Sequence, residues 1–147
     1  MYKHILVPLE NSPTDEVIIR HVRPLAKCLG AKLTLIHCAD GFQARHQKRL
    51  GESEEMRRDR QYLEMREQEL RAEGYETEAV LAWGDPAEQI IAAAERGDCD
   101  LIAMSTHGHR FLSDLVLGSV ASDVRHKSKI PVLLVRSLRT HHVEEDE

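Results

Sequence analysis

Two glycines with nine residues between them, Gly108 and Gly118, punctuate the stretch Ser105-Thr-His-Gly-His-Arg-Phe-Leu-Ser-Asp-Leu-Val-Leu-Gly-Ser-Val-Ala-Ser122, and Ser119 follows the second at once. A glycine leaves its backbone open to a ligand because no Cβ stands in the way. A hydroxyl at the start of a helix can cap it or donate to a phosphate oxygen. The chemistry on offer is therefore anion or nucleotide binding. The spacing is neither G-x-x-x-x-G-K-[ST] nor G-x-G-x-x-G. On spacing alone the plainer reading, a loop glycine and a helix N-cap, is the better supported. The choice turns on where the chain puts the two turns.

Other chemistry-bearing residues point to less. His107 and His109 flank Gly108, but alternate residues of a turn point apart and no third ligand stands near them in the sequence, so no metal site is expected. Cys28, Cys38 and Cys99 show no C-x-x-C spacing and read as small buried hydrophobes. Ser119 has no G-x-S-x-G elbow around it, and no residue reads as a dedicated catalytic base, so no catalytic residue is assigned. Lys48, Arg49, Arg57, Arg58 and Arg60 alternate with Glu54, Glu55 and Asp59, as on a solvated helix face. Met56, Tyr62 and Met65 read as packing residues.

A chain of 147 residues with 31% charged and 41% apolar side chains fits one globular domain with a real core. Its net charge of -5 argues against a general nucleic-acid binder. No run approaches the roughly 20 apolar residues of a membrane span, and the start has no signal-peptide layout. The expectation is a cytoplasmic protein with neither nucleic acid nor membrane as partner.

The elements that would position the glycines follow from the apolar pattern. His4–Leu9, Lys32–Cys38, Thr77–Trp83, Leu101–Thr106 and Pro131–Arg136 read as strands, the third alternating as at a sheet edge. Between them, Ser12-Pro-Thr-Asp15 opens a helix whose face holds Val17, Ile18, His21, Val22, Leu25 and Leu29 and which stops at Gly30. Glu52–Glu73 is a charged helix with a thin stripe of Met56, Leu63 and Leu70. Asp85-Pro-Ala-Glu88 opens a third helix, ending at Gly97, and Val120–Lys127 is a fourth. Residues 39–51 read as a loop. The domain is expected over residues 1–137, with 138–147 a polar acidic, disordered tail.

Strands alternating with helices imply a mostly parallel sheet covered on both faces, with ligands beyond the strands' carboxyl ends where strand order reverses. If the first and fourth strands are neighbours there, Glu10 and the Ser105–Gly108 turn open onto one crevice.

Six separated motifs then resemble, in order, a universal stress protein of the single-domain type. They are Tyr2-Lys-His-Ile-Leu-Val-Pro8, Leu35-Ile-His-Cys38, Gly84-Asp-Pro-Ala-Glu88, Asp100-Leu-Ile-Ala-Met-Ser-Thr-His-Gly108, Leu117-Gly-Ser-Val120 and Pro131-Val-Leu-Leu-Val-Arg136. The resemblance implies a Rossmann-like doubly wound parallel sheet of five strands in order 3-2-1-4-5, with helices on both faces. It implies ATP, AMP or ADP as ligand, with or without Mg2+. The family's ATP-binding members carry G-x2-G-x9-G-[ST], which falls here on Ser105, Gly108, Gly118 and Ser119, with serine in place of the first glycine. Serine there is harmless if the position needs only room and costly if it needs positive φ. Glu10 stands where the family has aspartate, one methylene longer, and Cys38 lies where a small residue lines the adenine.

The binding set so implied is Pro8, Glu10, Cys38, Met104, Ser105, His107, Gly108, His109, Arg110, Gly118, Ser119 and Val120. Gly118, Ser119 and Val120 are expected to offer N–H or hydroxyl groups to phosphate. The implied role is a stress-response sensor or regulator that forms a homodimer through Pro131–Arg136 and acts on a protein partner. Two alternatives stay open: a nucleotide-free dimeric interaction module, favoured by Ser105 and Glu10, and a slow ATPase or self-phosphorylating protein.

Overall fold

His4-Ile-Leu-Val-Pro-Leu9 is too apolar to leave either face in water. In the computed structural model, which describes residues 1–39, 54–106 and 114–136, it is the central strand β1 (His4–Leu9). Its side chains alternate between two cores. Ile5, Val7 and Leu9 pack on one side with Leu33 and Leu35, while Leu6 packs on the other with Ile36 and Ile102. Such two-sided burial is what a continuous apolar run signals in a parallel sheet.

The remaining strands are β2 (Lys32–Ala39), β3 (Thr77–Trp83), β4 (Leu101–Ser105) and β5 (Val132–Val135), all parallel, in the order β3-β2-β1-β4-β5. The expected order and the expected edge position of β3 are both present. Helices α1 (Thr14–Leu29) and α2 (Glu54–Ala72) cover one face, and α3 (Pro86–Arg96) and α4 (Asp114–Lys127) the other. Among the described residues, no helix is long and apolar enough to cross a membrane.

The helix ends follow from local chemistry. Gly30, at φ 64° and ψ 32°, caps α1 in the left-handed conformation that glycine takes without Cβ strain. Asp85 caps α3 by accepting the Glu88 N–H at 3.0 Å, with Pro86 in the first turn, as the sequence predicts.

Four expectations are corrected. Ser12 does not cap α1; its hydroxyl pairs with Thr14 Oγ1 at 2.7 Å, and only the returning half of the capping box forms, Ser12 N–H to Asp15 Oδ2 at 3.3 Å. The buried face of α1 takes in Ile19 and Ala26 beside Ile18 and Val22, and His21 is exposed. On α2 the buried stripe is Leu63, Arg66 and Leu70. Met65 stays exposed, because two residues at 100° each carry it to the far side from Leu63. Finally, α4 begins at Asp114 rather than Val120 and runs through Gly118. A helix-interior glycine costs only about 1 kcal/mol relative to alanine, and this helix is held by Ala121 and Val124, both buried in the second core.

The sheet opens between β1 and β4. β1 pairs with β2 along its whole length, to Leu9↔His37. With β4 it pairs only at Ile5↔Leu101 and Leu6↔Ile102. Pro8, having no N–H, offers no donor to extend that ladder. A proline in a central strand is otherwise hard to accommodate; here it stands where the two strands part.

Candidate functional site

The tip of β1 is shaped by one carboxylate. Asp15, 2% exposed in the first turn of α1, accepts three consecutive backbone N–H groups. Those of Glu10 and Asn11 lie at 2.9 Å and that of Ser12 at 3.3 Å. This arrangement bends the chain sharply: Asn11 sits at φ 58°, a left-handed conformation that asparagine tolerates better than most residues. Tyr62 of α2 adds a fourth donor, its hydroxyl 2.6 Å from Asp15 Oδ2. Burial, and then the hydrogen bond and charge of Asp15, push the Tyr62 phenol well above its ordinary pKa. The Glu10 side chain accepts from the hydroxyls of Ser12 and Thr14 at 3.5 and 3.4 Å.

The tip of β2 contributes His37 and Cys38. His37 Nδ1 donates to the Leu9 carbonyl at 2.9 Å, which turns Nε2 toward Asp59 Oδ2 at 3.3 Å. The Cys38 thiol faces the Pro86 carbonyl at 3.9 Å. Burial, helped by the charge of Asp85, pushes its pKa up to about 11, so the group is a neutral wall atom rather than a nucleophile.

These tips surround a cavity of about 340 Å³, at the lower end of the range for small-molecule sites. Its walls are Pro8 and Leu9 of β1, Ile36, His37 and Cys38 of β2, Met104 and Ser105 of β4, Pro86 and Ile90 of α3, and Val120 of α4. Glu10, Thr14 and Asp15 form a polar edge. An apolar floor with carboxylates and hydroxyls on one side suits a flat, hydrogen-bonding ligand.

Six residues of the sequence-derived set therefore meet around one cavity: Pro8, Glu10, Cys38, Met104, Ser105 and Val120. Ser119 is exposed on α4. His107, Gly108, His109 and Arg110 lie outside the described residues, as do Lys48 and Arg49. Gly118, Ser119 and Val120 are the fifth to seventh residues of α4. Their N–H groups belong to the i→i−4 ladder and are not offered to phosphate as expected. Ser105 ends β4 without positive φ, so serine carries no backbone strain where the motif has glycine. The sequence reading missed Asp15, His37 and Pro86 as part of the crevice. Asp15 and Pro86 were legible as helix-start residues, and the strand-end pattern showed that the starts of α1 and α3 must face the same side. Among the described residues no cluster of three or more His, Cys, Asp and Glu side chains could hold a metal ion.

The universal stress protein family model matches residues 1–136. A universal stress protein of Methanothermobacter thermautotrophicus is 31% identical over 147 residues, covering 94% of this chain and 98% of that one. Universal stress protein MJ0577 of Methanocaldococcus jannaschii is 28% identical, with 92% and 96% of the two chains covered. A solved structure of MJ0577 superposes with a TM-score of 0.78 at 29% identity, covering 95% and 99%. A universal stress protein from Archaeoglobus fulgidus, solved in complex with dAMP, superposes with a TM-score of 0.66 at 24% identity, covering 90% and 97%.

Proposed function

This chain belongs to the universal stress protein family, and from that premise we propose that its crevice between β1 and β4 binds an adenine nucleotide, whose presence regulates the protein's contacts with partners. The observation that carries the proposal is the cavity itself, with an apolar floor at the point where strand order reverses and a carboxylate edge beside it. A purine ring can lie against Ile36, Cys38 and Met104. Glu10, already an acceptor for two hydroxyls, has the chemistry to accept from sugar hydroxyls as well. The phosphates then extend toward His107, Gly108, His109 and Arg110, which follow β4 in the chain, and toward the Ser119 hydroxyl. The dAMP carried by the Archaeoglobus relative is of this ligand class.

ATP is the form we favour, and a Mg2+ brought with it needs few protein ligands. The protein works in the cytoplasm as a stress-response sensor, with residues 1–137 as the working domain and 138–147 as a tail. It dimerises through Pro131–Arg136: β5 is a sheet edge with open backbone groups and an exposed Leu134.

The test is native mass spectrometry of the purified protein, followed by an acid extract run against nucleotide standards and titration with Mg-ATP and AMP. Adenine nucleotide near one per subunit, lost when Cys38→Phe fills the cavity, supports the reading. A protein that emerges empty and ignores both added nucleotides refutes it.

A further inference from the structure

Helix α2 is bound to the crevice rim at two points one helical turn apart. Tyr62 donates to Asp15 at 2.6 Å. Asp59, three residues earlier on the same side of the helix, accepts from Asn11 Nδ2 at 3.0 Å with one oxygen and faces His37 Nε2 at 3.3 Å with the other. Both contacts reach strand tips that carry crevice residues: Asn11 follows Glu10, and His37 precedes Cys38. Away from the rim, α2 is also held to β3 by Arg71, whose Nε donates to the Thr77 carbonyl at 2.6 Å. Leu63 and Leu70 enter the core, and Arg66 is anchored by Glu16 at 2.6 Å and Glu69 at 3.1 Å.

The β1 tip needs such support. Three successive N–H groups pointing inward form a concavity that attracts an anion, and here the chain fills it with its own Asp15 carboxylate. Asn11 holds a left-handed turn at φ 58°, and the three N–H groups turned inward there keep their acceptor only while that carboxylate stays in place. Tyr62 is the one donor to it from outside residues 10–12 among the hydrogen bonds described for Asp15.

We propose that Asp15 is the positioning residue of the crevice, setting the direction of Glu10, and that Tyr62 and Asp59 make the seating of α2 and the shape of the β1 tip one coupled equilibrium. By linkage, whatever stabilises the tip seats α2, and whatever draws α2 away loosens the crevice. The effect on ligand rests on the nucleotide reading above; the effect on the tip does not.

Tyr62→Phe is the mild perturbation, because the ring keeps its packing and only the donor is removed. Asp59→Asn is its companion at the second contact. Backbone amide exchange by NMR is compared in wild type and both variants, and AMP and ATP affinities are measured by calorimetry. In Tyr62→Phe, the amides of Glu10, Asn11 and Ser12 should exchange about tenfold faster while Leu6 and Ile36 in the central strands keep their protection. A merely structural role would lower protection throughout. AMP affinity should fall roughly fivefold or more, and Asp59→Asn should change both readouts in the same direction. Unchanged exchange at residues 10–12 overturns the proposal. So does unaltered AMP affinity in a variant whose tip has loosened. If the wild type ignores both nucleotides while the tip amides still respond, the nucleotide reading falls and the coupling of α2 to the tip stands.

Discussion

Asp15→Asn should cost far more than a single-atom change suggests. In the wild type Oδ1 accepts one donor, the Glu10 N–H, and Oδ2 accepts three, from Asn11, Ser12 and Tyr62. An asparagine has one oxygen. Turned so that the oxygen meets the three donors, its NH2 confronts the Glu10 N–H, and that bond is lost. A hydrogen bond to a charged group contributes about 1.5–3 kcal/mol, and the three that survive lose their charge assistance, which roughly halves each. Relief from burying a carboxylate offsets part of this. The net loss expected is about 2–4 kcal/mol. Asp15→Ala should lose more, since it removes every acceptor and leaves the N–H groups to whatever water can enter. Urea unfolding at pH 7, followed by circular dichroism, reads both variants, with the m-value used to confirm that the native state stays compact. A loss below ~1 kcal/mol for Asp15→Asn, or an alanine variant more stable than the asparagine one, would show that the carboxylate does not organise the β1 tip.

Three further outcomes are expected. Ser105→Gly should leave AMP and ATP affinity within about threefold of wild type, because Ser105 already lies in unstrained strand geometry, and should lower stability by roughly 0.5–1 kcal/mol; a large gain in affinity would mean that the serine obstructs the ligand. Iodoacetamide at pH 8 should label Cys28, which is exposed rather than buried as its sequence suggests, well ahead of Cys38 and Cys99. Burial holds both of the latter thiols at about 11, so only about one in a thousand is thiolate at that pH; peptide mass spectrometry giving Cys38 first would refute the environment described for the crevice wall. For Asp100, burial alone would raise the pKa, but the N–H groups of Lys3 at 2.8 Å and His4 at 3.0 Å outweigh it, and the carboxyl lies below its ordinary value. A folded-state pKa below the unfolded one gives stability that is present above about pH 4 and lost as pH falls through the folded value. The urea midpoints of wild type and Asp100→Asn should therefore differ at pH 7 and converge toward pH 2.5, and a gap that widens in acid would reverse the sign of the argument.

Much of the architecture was legible in the chain because its causes are local. β1 could be bounded at His4 and Leu9 since an apolar run of that length has one way to bury both faces. Gly30 and the Asp85–Glu88 box mark helix ends through contacts within four residues. The alternation of strands and helices limited the sheet to a few parallel arrangements, and separated motifs pointed to the family and through it to the strand order. Position in the crevice was legible for Pro8, Glu10, Cys38, Met104, Ser105 and Val120 by the same route.

The tertiary structure alone decided the contacts between residues distant in the chain. Nothing near Tyr62 in the sequence says that its hydroxyl meets Asp15, 47 residues earlier, or that Asp59 stands between Asn11 and His37. In the sequence Asp59 is one charge in a charged helix face, and Arg66 is another, yet Arg66 is buried because Glu16 on α1 neutralises it. The start of α4 was misplaced for a related reason: the cost of glycine is local and small, while the burial of Ala121 and Val124 that offsets it depends on a core assembled from the whole sheet. Short-range periodicity and capping can be read along a chain; which polar groups will be deprived of water, and therefore must find each other, is known only once the elements have packed.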